Sequence, residues 1–333
     1  MKILHDKSDP GLLRCLSCSK SQYRFVILAF VVTFFLTSNL TAEPYKFITP
    51  IGQIKRVPVN DIKIYEQTAY VISDNDVYIY SVSSPWSPKL ETGFHSFRTI
   101  SDLVNVEANR FYLCTADAAN QVIEMDSLNT WGKIYFVEKL SCQKAEREGA
   151  TLYTADLNIG LEIYNLSRGL LPEKLTTYSE KWGIKAMAAR YPRIHALNDF
   201  GYVNIDVTDL SHPVESGKNY EIVDGTVLSV NRNYVYIGAK SSLIVLDIST
   251  PSAPRIVNRL RLSSQINALI CKDNELYIGT EQSGLKVMDI TNPIRIREKN
   301  SYNVISTIKA IALDTDYIYL AAGKDGWVIL QYR

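Results

Sequence analysis

One tyrosine position recurs along the whole chain: Tyr70, Tyr112, Tyr153, Tyr236, Tyr277 and Tyr319, with His195 standing where the remaining member falls. Successive members lie 41 or 42 residues apart. A fixed period of this length marks a chain built from repeated supersecondary units, none of which buries its apolar face alone. The unit is clearest around Tyr277, where Leu276-Tyr277-Ile278-Gly279 leads through a short loop to Leu285-Lys286-Val287-Met288-Asp289-Ile290-Thr291-Asn292-Pro293. Tyr236 has the same surroundings, ending in Leu243-Ile244-Val245-Leu246-Asp247-Ile248-Ser249-Thr250-Pro251. Short apolar runs split by Gly, Ser and Asp clusters read as strands and turns.

A second column runs Ser81, Asp126, Asn165, Asp206, Asp247, Asp289 and Gln331, and Pro88, Pro172, Pro213 and Pro254 follow it seven places later. An Asp or Asn side chain bonds its own downstream backbone and proline presets φ, so this pair specifies a fixed turn. Blade 2 departs here, with Trp131-Gly132-Lys133 in place of the proline turn. Another extended stretch, such as Arg255–Leu260, and a further short one, such as Ile266–Ile270, complete each unit. Four strands in a unit of this length predict a propeller blade. Residues 43–333 accommodate seven. The chain stops at Trp327–Tyr332, the third strand of blade 7, and the fourth is expected at the opposite end, in Lys46–Ile54. The prediction is an all-β, seven-bladed β-propeller with four-stranded blades, closed by the N-terminal strand pairing with the last blade, which removes an open edge.

The tandem Leu-x-Val-x-Asp-Ile-Ser/Thr unit resembles the LVIVD-repeat family of extracytoplasmic bacterial and archaeal proteins. The resemblance spans essentially residues 60–333 and implies a β-propeller. It brings no reaction and no catalytic residue.

Residues 1–42 are of another kind. Arg24 precedes the apolar run Phe25–Leu36, and Thr41-Ala42 stands before Glu43-Pro44. A basic segment, a short apolar segment and a small residue describe a secretory signal. Residues 25–42 also nearly reach the length of a membrane anchor. Either reading puts the propeller outside the cytoplasm, secreted, periplasmic or at the cell surface, with membrane contact only through a retained N-terminal segment. Cys15 and Cys18 lie within that leader. Cys114, Cys142 and Cys271 remain, and the residues favour three buried or half-buried thiols over a Cys114–Cys142 bridge. Residues 43–333 carry 31 Lys and Arg against 33 Asp and Glu, with no basic stripe that recruits nucleic acid.

Ten residues before each repeat position lies a polar column: Asn60, Asp102, Gln143, Lys185, Thr226, Asn267 and Lys309. Its neighbours are mostly apolar, an alternation that predicts one ring of side chains around the central channel. Such a ring either is a self-satisfied hydrated lining or holds a small polar or anionic ligand through Lys185 and Lys309. One carboxylate and no histidine give no metal site, because hard cations take several oxygen ligands and zinc takes clustered His or Cys. No cofactor motif, Gly-x-Ser-x-Gly elbow or Gly-rich phosphate loop is present. His195 reads as an aromatic-sized core substitute, or as a general base. Trp86, Trp131 and Trp182 sit in connections and are candidate contacts for a partner. The sequence therefore predicts a binding or scaffold propeller without intrinsic catalysis, docking a protein or an envelope component. The alternative is a lactonase-like hydrolase with a site at the channel mouth, on fold analogy alone.

Overall fold

The computed structural model describes residues 48–54, 57–107, 110–116, 120–125, 131–138, 142–167, 169, 171–179, 183–303 and 306–332. The leader reading of residues 1–42 lies outside them. Every described element is a strand. β1 (Ile48–Ile54) comes first. Blade 1 is β2 (Asp61–Tyr65), β3 (Thr68–Ser73), β4 (Asp76–Ser81) and β5 (Lys89–His95). Blade 2 is β6 (Ile100–Glu107), β7 (Arg110–Thr115), β8 (Asn120–Met125) and β9 (Trp131–Glu138). Blade 3 is β10 (Lys144–Glu148), β11 (Thr151–Asp156), β12 (Gly160–Asn165) and β13 (Glu173–Tyr178). Blade 4 is β14 (Ala186–Arg190), β15 (Arg193–Leu197), β16 (Tyr202–Asp206) and β17 (Val214–Asn219). Blade 5 is β18 (Gly225–Asn231), β19 (Tyr234–Ala239), β20 (Ser242–Asp247) and β21 (Arg255–Arg261). Blade 6 is β22 (Ile266–Lys272), β23 (Glu275–Thr280), β24 (Leu285–Asp289) and β25 (Arg297–Tyr302). Blade 7 is β26 (Ala310–Leu313), β27 (Tyr317–Ala321) and β28 (Trp327–Tyr332), completed by β1.

Within each blade the strands pair antiparallel in chain order, and the first strands contact one another all the way round, β26 meeting β2. The predicted closure is present: β1 pairs antiparallel with β28 from Ile48↔Tyr332 to Ile54↔Trp327. Seven apolar clusters fill the seven spaces between neighbouring blades. The recurring tyrosine explains the packing. Tyr70, Tyr112, Tyr153, Tyr236, Tyr277 and Tyr319 lie on the second strands, all buried, each in the cluster shared with the next blade. Burying a ring of this size contributes about 2 kcal/mol, so the column is a main source of blade-to-blade cohesion.

Four members of the second column form the expected turns. Asp206, Asp247 and Asp289 accept the backbone N–H two residues on, each at 2.9 Å, and Asn165 does so at 2.8 Å. The hydroxyl and N–H groups of Ser249 and Thr291 also lower the carboxyls of Asp247 and Asp289 below the usual carboxylate range. Asp126 lies outside the described residues.

The cysteines depart from expectation. Cys114, at the end of β7, is bonded to Cys142, just before β10, with Cα atoms 4.9 Å apart. The Cys142 N–H donates to the Thr115 carbonyl at 3.0 Å, and this link between blades 2 and 3 brings the two side chains together. Cys271 is a free, half-buried thiol.

Candidate functional site

Antiparallel blades give the ring two faces. One, the hairpin face, carries the turns between first and second strands, such as 66–67, and between third and fourth, such as 82–88. The other, the crossover face, carries the turns between second and third strands and the links from blade to blade. The central channel joins them.

The polar column lies where the first strands begin, towards the crossover face. Lys309 donates to Asn60 Oδ1, which joins blades 7 and 1, and Asn60 Nδ2 donates to Asp74 Oδ1 at 2.6 Å. Lys185 pairs with Asp199 at 2.5 Å. Asn267 accepts from Gln265 Nε2 at 3.2 Å, and Thr226 donates to the Gly238 carbonyl at 3.4 Å. Gln143 starts blade 3 with its N–H on the Ala155 carbonyl, as Asn60 does on Ile72 and Lys185 on Leu197.

Asp102 does not occupy the place predicted for it. The β6–β7 hairpin holds one extra residue, a bulge between Asn105 and Glu107, which shifts the count back from Tyr112 by one. Ser101 is the bulged residue equivalent to Thr226 and Asn267, and it donates to the Cys142 carbonyl. Asp102 instead shares a register row with Asp61 and Lys144.

There it organises a cluster that the repeat count had not marked. Asp102 is fully buried; Lys63 of blade 1 reaches its Oδ1 at 2.8 Å and Lys144 of blade 3 reaches its Oδ2 at 3.0 Å. The N–H groups of Leu103 and Ala145 donate to the same carboxylate at 2.9 and 3.0 Å. Burial alone raises a carboxyl pKa, but Lys144 and Lys63 outweigh it and hold Asp102 at about 2. Asp102 and Asp61 in turn keep Lys63 well above the ordinary lysine value against its own burial. Glu146 accepts the Ala189 N–H of blade 4 at 2.7 Å, and burial pushes its carboxyl up. Asp102 and Glu146 solve one problem. A first strand has a free edge along the channel, and a side chain from the preceding blade satisfies an amide there.

His195 is a core residue of blade 4. It is buried, its Nδ1 lies 2.6 Å from the Tyr202 hydroxyl, and burial with Arg190 and Arg193 nearby lowers its imidazole to about 4. Among the described residues no three His, Cys, Asp or Glu side chains stand together as a metal-binding group.

Of the three tryptophans proposed as partner contacts, Trp86 is exposed in the β4–β5 turn on the hairpin face. Trp131 begins β9, and its side chain and the whole of Trp182 lie outside the described residues. The crossover face carries exposed apolar groups of its own: Leu157 and Phe200 in second-to-third-strand turns, and Tyr220 and Val223 in the link from blade 4 to blade 5. Phe200 and Tyr220 meet edge to face, ring centroids 6.4 Å apart. The sequence signal for Phe200 is an aromatic in a turn otherwise made of Asn198, Asp199 and Gly201.

Comparison with solved structures returns propellers. The WD40 repeats of RRP9 superpose with a TM-score of 0.68 at 8% identity, covering 86% of this chain and 98% of that one. A chain of the mitotic checkpoint complex gives 0.68 at 11%, covering 89% and 97%. PorZ, a bacterial surface component of the type-IX secretion system of Porphyromonas gingivalis, gives 0.60 at 12%, covering 84% of this chain and 38% of PorZ. At these identities the likeness is one of fold. No curated protein matches the sequence. The LVIVD repeat model matches residues 225–261 and 269–304, the spans of blades 5 and 6. Blades 5 and 6 of this seven-bladed propeller thus match the LVIVD repeat.

Proposed function

We propose that this propeller is an extracytoplasmic binding module that docks a protein through its crossover face. The observation that carries the reading is the contacting pair Phe200 and Tyr220, 43% and 50% exposed on the crossover face, with Val223, 64% exposed, in the same link as Tyr220. Apolar and aromatic groups left on loops above a closed scaffold are typical interface anchors. Lys218 lies 5.4 Å from the Tyr220 ring centre and gives the patch a charged rim. The placement outside the cytoplasm rests on the leader-like residues 1–42, and the Cys114–Cys142 bond suits an oxidising compartment. Structural neighbours that occur in protein complexes, and one at a bacterial surface, agree with the reading but share only the fold.

Affinity capture from an envelope extract tests it. A saturable partner held by the native chain is expected to be lost when Phe200 and Tyr220 are both changed to Ser, and kept by Trp86→Ala. Retention by the double variant rejects the crossover face as the docking surface.

A further inference from the structure

The central channel has two unlike walls. Where it runs towards the hairpin face, blades 1, 3 and 4 line it with Lys63, Tyr65, Lys144, Glu146 and Arg190. Blades 5, 6 and 7 line the opposite side with Leu228, Leu269 and Ile311. This chamber measures about 340 Å³ and shares its charged wall with a vestibule of about 580 Å³ that Arg147 also lines. Both volumes suit a small organic molecule.

The cations are positioned by the fold. Asp102, closed off from solvent, fixes the ammonium groups of two different blades, while the Lys63 and Lys144 side chains stay 21% and 33% exposed. An ammonium has three donors, and Lys144 gives one to Asp102. Arg190 donates to the neighbouring Ala189 carbonyl at 2.5 Å and, among the described residues, forms no ion pair with a carboxylate. Its planar fork matches the two oxygens of a carboxylate, and Glu146 on the same wall spends one carboxylate oxygen on the Ala189 N–H. Facing these groups across the chamber are only aliphatic side chains and Ser229.

We propose that this end of the channel binds an amphiphilic organic carboxylate, its head held by Arg190 and Lys144 and its apolar body lying against Leu228, Leu269 and Ile311. This site is separate from protein docking, which uses the other face.

Calorimetric titration of the full chain with octanoate tests it, beside octanol, which keeps the body without the charge, and inorganic phosphate, which keeps charge without a body. Octanoate is expected to bind saturably and at least about tenfold more tightly than either control. Arg190→Gln should weaken octanoate by a similar factor with unchanged thermal unfolding. Lys144→Gln removes a partner of Asp102 and disturbs folding, so Arg190→Gln is the deciding variant. Equal binding of octanol assigns the chamber to apolar burial alone, equal binding of phosphate to charge alone, and an indifferent Arg190→Gln removes the head-group site. Each of these outcomes overturns the proposal.

Discussion

A Cβ built on Gly52 would stand 2.8 Å from the carbonyl oxygen of Pro85. The same contact recurs in mid-chain, where a Cβ on Gly217 would come to 2.0 Å from the Pro251 carbonyl. Gly52 pairs with Ile329 as Gly217 pairs with Asn204, one strand out from the recurring Tyr319 and His195 positions. At the equivalent place in blade 5, Asn258 donates to the Pro293 carbonyl at 3.2 Å. In blades 1, 5 and 6 the turn between the third and fourth strands thus latches onto the outer strand of the blade before, and β1 plays the outer-strand part for blade 7.

Removing residues 1–54 should therefore damage a chain that keeps every complete blade. β28 becomes an open edge, and the shared core around Trp327 and Ile329 loses its cover from Ile51 and Ile54. The expected result is aggregation on size exclusion and a melting temperature lower by at least about 10 °C. Gly217→Ala should cost about 2–3 kcal/mol in denaturant unfolding, because the obstacle is backbone.

Asp102→Asn should destabilise the ring by about 3 kcal/mol, since it leaves the half-buried Lys63 and Lys144 without their shared counter-charge. Ser101→Ala, one position away, should cost under about 1 kcal/mol. Paired urea titrations separate the two, and equal effects contradict the placement of Asp102, rather than Ser101, beside the two lysines.

His195 supplies an acid-side dependence. Its folded value, about 4, lies below the ordinary 6.5, so on acidification the unfolded chain takes up the proton first. Stability contributed by this site is intact above pH 6.5 and falls as pH drops towards 4, by up to about 3 kcal/mol. His195→Tyr, which restores the repeat residue, collides with Tyr202, and the compensating Tyr202→Leu should recover most of the loss. The double variant should then show a shallower decline between pH 6.5 and 4.5 than the native chain.

The Cys114–Cys142 bond closes a loop with a sequence separation of 28, which in the chain-entropy view stabilises by about 3–4 kcal/mol. With Cys15 and Cys18 replaced by Ser, thiol titration of the denatured chain should find one thiol, Cys271, before reduction and three after. Three before reduction contradicts the bridge.

The parts legible in sequence were those the repeat imposes on most blades. The tyrosine column, the Asx turns and the borrowed strand at the N-terminus follow from one pattern applied seven times. What escaped it is local to single blades. An extra residue in one hairpin displaced Asp102 from its column, and counting from Tyr112 alone does not reveal a bulge. The charged channel wall was present as Asp61-Ile62-Lys63 and Lys144-Ala145-Glu146, where blades 6 and 7 carry Ala268-Leu269-Ile270 and Ala310-Ile311-Ala312. Only the closed ring sets those strands around one chamber. The cysteine pair was likewise visible, but its proximity depends on the hydrogen bond between blades 2 and 3.

Docking through the crossover face is tested most directly by lysine crosslinking of the full chain in an envelope extract, followed by mapping of the linked residues. Partner crosslinks are expected at Lys185, Lys218 and Lys240, around Phe200 and Tyr220. Crosslinks confined to Lys89 and Lys272, towards the hairpin face, would contradict docking through the crossover face.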